Sequence, residues 1–225
     1  MTLFQAIVDF ISNVLQFLFE FTNNMGVPSY GIAIILLTII IKVVLFPLTF
    51  KQIKSMKAMQ TLQPEMKRIQ EKHKKTPEKA QQEIMQLYKS EGVNPLAGCL
   101  PLLVQMPILF ALFRALDNFD YTVIPSFLWI PNLSNPDPII LPILVAGTMF
   151  MQMYIQQKLT GTAATTDQAQ MQKMFLYVMP FMLGFFARSF PAGLALYWTM
   201  FSIMGTVEQF IINGPAFLAA REGSK

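Results

Sequence analysis

Residues 30–50 read YGIAIILLTIIIKVVLFPLTF, a run whose single charge is Lys42. A helix of about twenty mostly apolar residues crosses the hydrocarbon core of a bilayer, so this run has the length of a span. The next ten residues, KQIKSMKAMQ, are abruptly basic. An apolar span closing on lysines reads as a membrane helix ending at a cytoplasmic surface. Four more stretches qualify or come close: residues 96–116, 138–157, 174–190 and 192–213. Only the turn around Pro191 separates the last two, which predicts a tight helical hairpin.

Composition agrees with that reading. Of 225 residues 53% are hydrophobic and 13% charged, with mean hydropathy +0.44. A soluble domain carries about 25% charged residues, so a water-facing surface cannot be covered here. Twenty Phe and 16 Met exclude a disordered chain. One cysteine, Cys99, excludes a disulfide framework and a thiolate-built metal site, and His73 is the single histidine. No metal and no cofactor are expected.

The net charge of +4 is unevenly placed. Residues 51–91 hold ten Lys/Arg and five Glu, half of the thirty charged side chains. Residues 1–29 and 117–137 hold no Lys or Arg, whereas 51–91, 158–173 and 213–225 hold fourteen of the seventeen. Lys/Arg counts in short loops set orientation. The expected fold is therefore an all-α membrane protein with five transmembrane helices, N-terminus outside and C-terminus in the cytoplasm. Residues 3–22 are apolar but carry Asp9, Asn13 and Glu20, without the basic start of a signal peptide. They are read as an amphipathic helix in the outer interface. The expected organisation is an outer helix and lead-in over 1–29, a first span over 30–50, a cytoplasmic helical hairpin over 51–95, four spans over 96–213 and a short tail over 214–225.

Within the hairpin, Met56, Met59, Leu62, Met66 and Ile69 recur at helical spacing, as do Ala80, Ile84 and Leu87 on the second arm. Thr76-Pro77-Glu78 predicts the start of that arm, an N-cap followed by proline at the first helical position. Pro64 is expected to bend or restart the first arm. A solvated loop held by positive-inside bias explains the charge equally well, but the Met-lined seam suits varied apolar partners.

Lys42 is the most informative residue. Eleven apolar or small residues separate it from the outer boundary of its span, and placing a Lys there costs roughly 2.5–3.5 kcal/mol on insertion scales. Snorkelling is one reading, although Lys51 at the inner end lies about 13 Å away along a helix. The other is a charge in a wet, cytoplasm-facing cavity that attracts acidic groups. Gln105, Gln152, Gln156, Gln157, Tyr197, Thr199 and Ser202 are the remaining intramembrane polar groups, each common as helix–helix glue and together able to line a groove. Glu208 lies near the inner end of the last span, where it either pairs with Lys42 or faces headgroups. The chain has no HExxH, GxSxG or phosphate loop and no close pair of intramembrane carboxylates, so an enzyme is not expected.

Four segments carry a family resemblance: FPLTFKQIKSMKAMQTLQPEMKRIQEKHKK, EIMQLYKSEGVNPLAGCLPLLVQMPILFALFRAL, ILPILVAGTMFMQMYIQQK and MQKMFLYVMPFMLGFFARSFPAGLALYW. Together they resemble the YidC/Oxa/Alb membrane protein insertases over about residues 28–212. The resemblance implies a five-helix core in the bacterial plasma (inner) membrane, an outer amphipathic helix, a cytoplasmic hairpin and a hydrophilic groove open to cytoplasm and lipid. It implies nascent membrane proteins as clients and the bilayer as their destination. The ribosome, the signal recognition particle pathway and the Sec translocon are further candidate partners, and DNA is not. The groove's basic residue in that family, commonly Arg, lies five residues before the proline of a PLT motif, here Lys42 before Pro47. Lys keeps the charge but not the planar bidentate fork. Many bacterial relatives continue the last helix with an Asn and paired glutamines, where this chain has Ser202 and Glu208-Gln209, which bears on how positive the groove is. The large outer domain and leading span of some relatives are not seen, and the tail with Arg221 and Lys225 is expected to contact ribosomes weakly. The alternative reading is a small multi-pass solute or ion transporter, which commonly shows inverted repeats of broken helices, and no internal repeat is visible. A factor that only binds membrane subunits would need the Met-rich and aromatic surfaces but not Lys42.

Overall fold

The computed structural model describes residues 3–94, 100–117, 119, 121–160 and 166–222, with side chains described for 4–94, 103–117, 119, 121–159 and 174–213. Cys99 and residues 161–165 therefore lie outside the described residues, as do the side chains of Arg221 and Lys225. The described helices are α1 (Leu3–Asn24), α2 (Tyr30–Thr61), α3 (Gln63–Lys72), α4 (Pro77–Ser90), α5 (Leu100–Asp117), α6 (Ile140–Thr160), α7 (Thr166–Ala187) and α8 (Ala192–Glu222). Among the described residues there is no strand, only an isolated bridge between Phe127 and Ile130.

α2 begins at Ser29, whose hydroxyl accepts from the Ile32 amide at 3.4 Å, and runs unbroken through Pro47. Its 32 residues rise about 48 Å, well beyond the roughly 30 Å hydrocarbon core. The compositional boundary at residue 51 thus marks no break in the helix. The break comes at Leu62, after which Pro64 occupies the first turn of α3, where its missing N–H is no loss. Here the proline restarts the arm.

α3 and α4 pack as a hairpin around Leu62, Met66 and Tyr88, with Met59, Ile84, Leu87 and Val93 partly buried against them. The Tyr88 hydroxyl donates to Met66 Sδ at 3.1 Å. Met56 departs from this seam, because Gln156 Nε2 on α6 donates to its sulfur at 3.5 Å. α4 starts at Pro77 as expected, with Glu78 in its first turn, but the Thr76 side chain makes no capping hydrogen bond. The turn is fastened instead by Glu83, which accepts from Lys72 Nζ at 3.0 Å and meets His73 Nε2 at 2.6 Å.

α6 lies between α7 and α8 and packs on both. α7 shows why: Leu176, Pro180, Gly184 and Ala187 form its buried stripe at helical spacing, while Phe175, Tyr177, Val178, Phe181, Met182, Phe185 and Phe186 are exposed. A Cβ at Gly184 would stand 2.7 Å from Ala146 Cβ and 2.8 Å from the Pro142 carbonyl, so glycine sets how closely α7 approaches α6. The hairpin expected of the last two spans is corrected here. They follow one another in sequence, but each finds its packing partner in α6.

The end of the bundle where α6 and α8 begin is tied by the 121–139 loop. The Leu133 and Asn135 carbonyls each accept from the first amides of α8, Gly193 and Ala192, at 2.9 Å. Asp137 accepts from the Ile139 and Leu141 amides at 2.9 and 3.1 Å, closing the N-terminus of α6. Burial opposes ionisation of Asp137, but those amides and the Trp129 indole, which donates to it at 3.0 Å, hold its carboxyl below the usual range. Beneath, Tyr30 stacks on Phe19 with ring centres 3.8 Å apart, in a core that joins α1, α2, α5, α6 and α8.

α1 buries Val8, Ile11, Leu15, Leu18 and Phe19 along one face against α2 and α5. Phe10, Phe17 and Phe21 are exposed, as are Asn13 and Glu20, while Asp9 is half-buried. Among the described residues, two helices are long and apolar enough to cross a membrane: Phe4–Asn24 within α1, and α2.

Candidate functional site

Lys42 stands on α2 near the midpoint of its apolar run, 5% exposed. Its ammonium lies 3.0 Å from Glu208 Oε2 on α8 and 3.8 Å from the centre of the Phe201 ring. Phe201, Gly205 and Glu208 share one face of α8 through their i, i+4, i+7 spacing. Gly205 makes the meeting possible. A Cβ there would overlap the Gln152 amide of α6 and come within 3.2 Å of Lys42 Nζ. Three helices that are distant in sequence thus converge on one glycine, with a cation, a carboxylate, an amide and an aromatic face around it.

The Lys42 stem ends on a buried carboxylate of α8 and not at the lysine-rich stretch of its own helix. Glu208 and Phe201 cover the ammonium. The cause is the carboxylate at 208. A buried cation needs a counter-charge, because the desolvation of either ion alone is several kcal/mol.

Gln105 and Tyr197 form a second polar contact, with the Gln105 amide donating to the phenol oxygen at 3.1 Å between α5 and α8. Tyr197 precedes Glu208 by eleven residues, about 16 Å along the helix, so this is a separate level nearer the start of α8. Ser202 lies buried on α8 between the two levels, and Thr199 turns back to the Ala195 carbonyl at 2.9 Å. The sequence-derived groove residues therefore divide: Lys42, Gln152 and Glu208 come together, Gln105 joins Tyr197, and Ser202 stands between.

Sequence reasoning misses Phe201 and Gly205, although their spacing to Glu208 is a usable signal. It also misses Asn213 and Gln52. Gln209, noted beside Glu208 in the sequence, and Asn213, one turn beyond it, are buried on α8, and Gln52 is buried on α2. Glu208 Oε1, Gln209 Oε1 and both polar atoms of the Asn213 amide have no hydrogen-bond partner among the described residues. Among the described residues no three His, Cys, Asp or Glu side chains are grouped to hold a metal ion.

Comparison with known proteins adds the family. Residues 20–217 match the family described as 60Kd inner membrane protein. The chain is 45% identical over 219 residues to "Membrane protein insertase YidC 2" of Bacillus anthracis, covering 95% of this chain and 83% of that protein. It is 44% identical over 201 residues to "Membrane protein insertase YidC" of Geobacter sp. (strain M21), and 42% over 205 residues to that of Chlorobium phaeovibrioides. In those two the match covers 35% and 34% of a longer protein. A family match over most of the chain, with a relative of similar length at this identity, shows that the chain belongs to the 60Kd inner membrane protein (YidC/Oxa) family.

Proposed function

We propose that this protein is a membrane protein insertase and chaperone of the bacterial inner membrane, and not an enzyme. The single observation that carries the reading is the polar site of Lys42, Gln152 and Glu208, built near the midpoint of the apolar run of α2 and surrounded by lipid-type surface. Val43, Val44, Phe110, Ile143, Phe181, Phe185, Ile203 and Ile211 are all exposed. On a soluble protein such a surface is an aggregation hazard, whereas in a bilayer it is solvated.

Five spans, α2 and α5 to α8, carry the chain from an outer N-terminus to a cytoplasmic C-terminus. The Lys/Arg distribution supports this orientation. α1 lies in the outer interface, supported by its exposed Asn13 and Glu20 beside exposed Phe10, Phe17 and Phe21. The α3–α4 hairpin reaches into the cytoplasm, and its partly buried Met59, Ile84 and Leu87 give an adaptable surface for clients and delivery factors. Its basic charge suits the ribosome, and the exposed faces of the spans suit the Sec translocon.

Without a nucleotide site the protein lowers a barrier and supplies no energy. A client's polar outer tail faces a hydrocarbon core about 30 Å thick. The site shortens the dry path: an acidic residue of the tail competes with Glu208 for Lys42, and Gln152, Gln105, Tyr197 and Ser202 exchange hydrogen bonds with the passing chain. Release of the client's apolar helix into lipid drives the step. The membrane potential adds about 2.3 kcal/mol per charge per 100 mV for a negative tail. Purified protein in liposomes, presented with a single-span client, tests the proposal: protease protection of the translocated tail is expected, and no protection above that in empty liposomes refutes it.

A further inference from the structure

Glu208 uses one oxygen on Lys42 and leaves the other buried with no hydrogen-bond donor among the described residues. The same holds for Gln209 Oε1 and Asn213 Oδ1, while the Asn213 amide nitrogen is, among the described residues, the one unpartnered buried side-chain donor beside them. Acceptors therefore outnumber donors on this part of α8. An ionised carboxylate can only accept, and a buried acceptor without a donor is among the least tolerated groups in a folded protein. The charge balance points the same way. A lone Lys42 would repel a cationic client residue, but the Lys42–Glu208 pair is neutral overall and its unmet oxygen faces any donor that enters.

We infer that Glu208 turns the insertase site into one that takes hydrogen-bond donors as well as acids, so that clients with Lys, Arg or amide-bearing outer tails are substrates. Lys42 receives a tail carboxylate. Glu208 Oε1, followed along α8 by Gln209 and Asn213, receives a tail ammonium, guanidinium or free backbone N–H. Glu208 is thus a specificity-determining residue of the site. The inference rests on the insertase reading, and a client with a neutral tail keeps the two separately testable.

Three versions of one single-span client, with Lys, Ala or Asp at the same tail position, are inserted into liposomes without a membrane potential. The Ala-tailed client, whose side chain neither donates nor accepts, reports insertase activity itself. Relative to it, Glu208→Gln should lower insertion of the Lys-tailed client about five- to tenfold and raise that of the Asp-tailed client, while Glu208→Asp keeps most of the Lys-tailed insertion. An equal change for all three clients is the signature of a structural ion pair whose spare oxygen is met by water, and overturns the inference. A measurement on the unmutated protein is independent of variant folding. Dicyclohexylcarbodiimide joins a carboxylate to a neighbouring amine, taking up the water lost as the amide forms and leaving as the urea, so it should couple a stalled Lys-tailed client to Glu208, as read by mass spectrometry. Coupling of Glu208 to Lys42 alone, with the client Lys unreacted, overturns the inference too.

Discussion

At the scale of the residue, the site is an exchange of solvation. Lys42 leaves water and receives a carboxylate, a ring face and a neighbouring amide, and the two ions are held far more strongly than an exposed pair because little solvent screens them. Removing one partner strands the other. Lys42→Ala is expected to cost about 3–5 kcal/mol of stability and to slow insertion of clients with acidic outer tails, while Lys42→Arg retains most activity. The double variant Lys42→Ala, Glu208→Gln should be more stable than Lys42→Ala alone. Thermal unfolding across the four-member cycle checks this, with a coupling of about 0.5–3 kcal/mol expected and additivity speaking against a functional pair. At Gly205 a methyl group would overlap the end of the Gln152 side chain and crowd Lys42 Nζ, both ends of flexible chains that can move aside. Gly205→Ala should therefore displace the Gln152 amide while changing stability by less than about 1 kcal/mol, because alanine's helix propensity offsets the crowding, read in the same assay. Lys42 is legible in the sequence because a charge inside an apolar run has few explanations. Its bond to Glu208 is not, because span positions give depth along the membrane normal but not helix rotation. Phe201 and Gly205 look like ordinary span residues until that rotation is known.

At the scale of the element, punctuation in the sequence locates the hairpin and hydrophobic runs locate the helices, but neither says where a helix stops being in the membrane. Pro64 and Pro77 each mark a start, since proline fits a first turn. Pro47 also looks like punctuation, yet α2 continues through it. The pairing of α7 and α8 through α6 is illegible for a similar reason: a short turn fixes proximity of ends, and Gly184 against Ala146 fixes the face. Two predictions belong here. Deleting residues 55–90 with a short linker should impair insertion while the remaining helices still assemble, as judged by monodispersity and helical circular dichroism. Unchanged insertion for every client would reduce the hairpin to a topology signal. Within the hairpin, hydrogen bonds from Lys72 and His73 hold the Glu83 carboxyl below its ordinary value. A carboxyl depressed in the folded state stabilises above its unfolded pKa and loses that contribution as pH falls through the folded one. Protection of the α4 amides from exchange, taken relative to their intrinsic rates, should therefore fall on acidification below the ordinary carboxylate range, and Glu83→Gln should remove the effect. Because Glu83 is exposed, the effect should be small and weaken with salt.

At the scale of the whole molecule, the membrane character of an all-helical fold is legible from composition, whereas the number of spans is not. With so few charges an aqueous surface is hard to cover, and the exposed aromatic face of α7 and the aliphatic faces of α2 and α8 suit lipid. What composition cannot give is the contrast that makes the chain more than a bundle. One half is sealed by Tyr30, Leu112, Leu133 and Leu141, and in the other Lys42, Glu208, Gln209 and Asn213 are each buried. On the proposed function, the polar half is the part that a passing client uses. Its consequence is tested most directly by reconstituting the purified protein in protein-free liposomes and following protease protection of the acidic outer tail of a single-span client. A client path through the polar half predicts protection that depends on the protein and falls several-fold with Lys42→Ala but little with Lys42→Arg. Protection no greater than in empty liposomes, or an undiminished yield with Lys42→Ala, would contradict it.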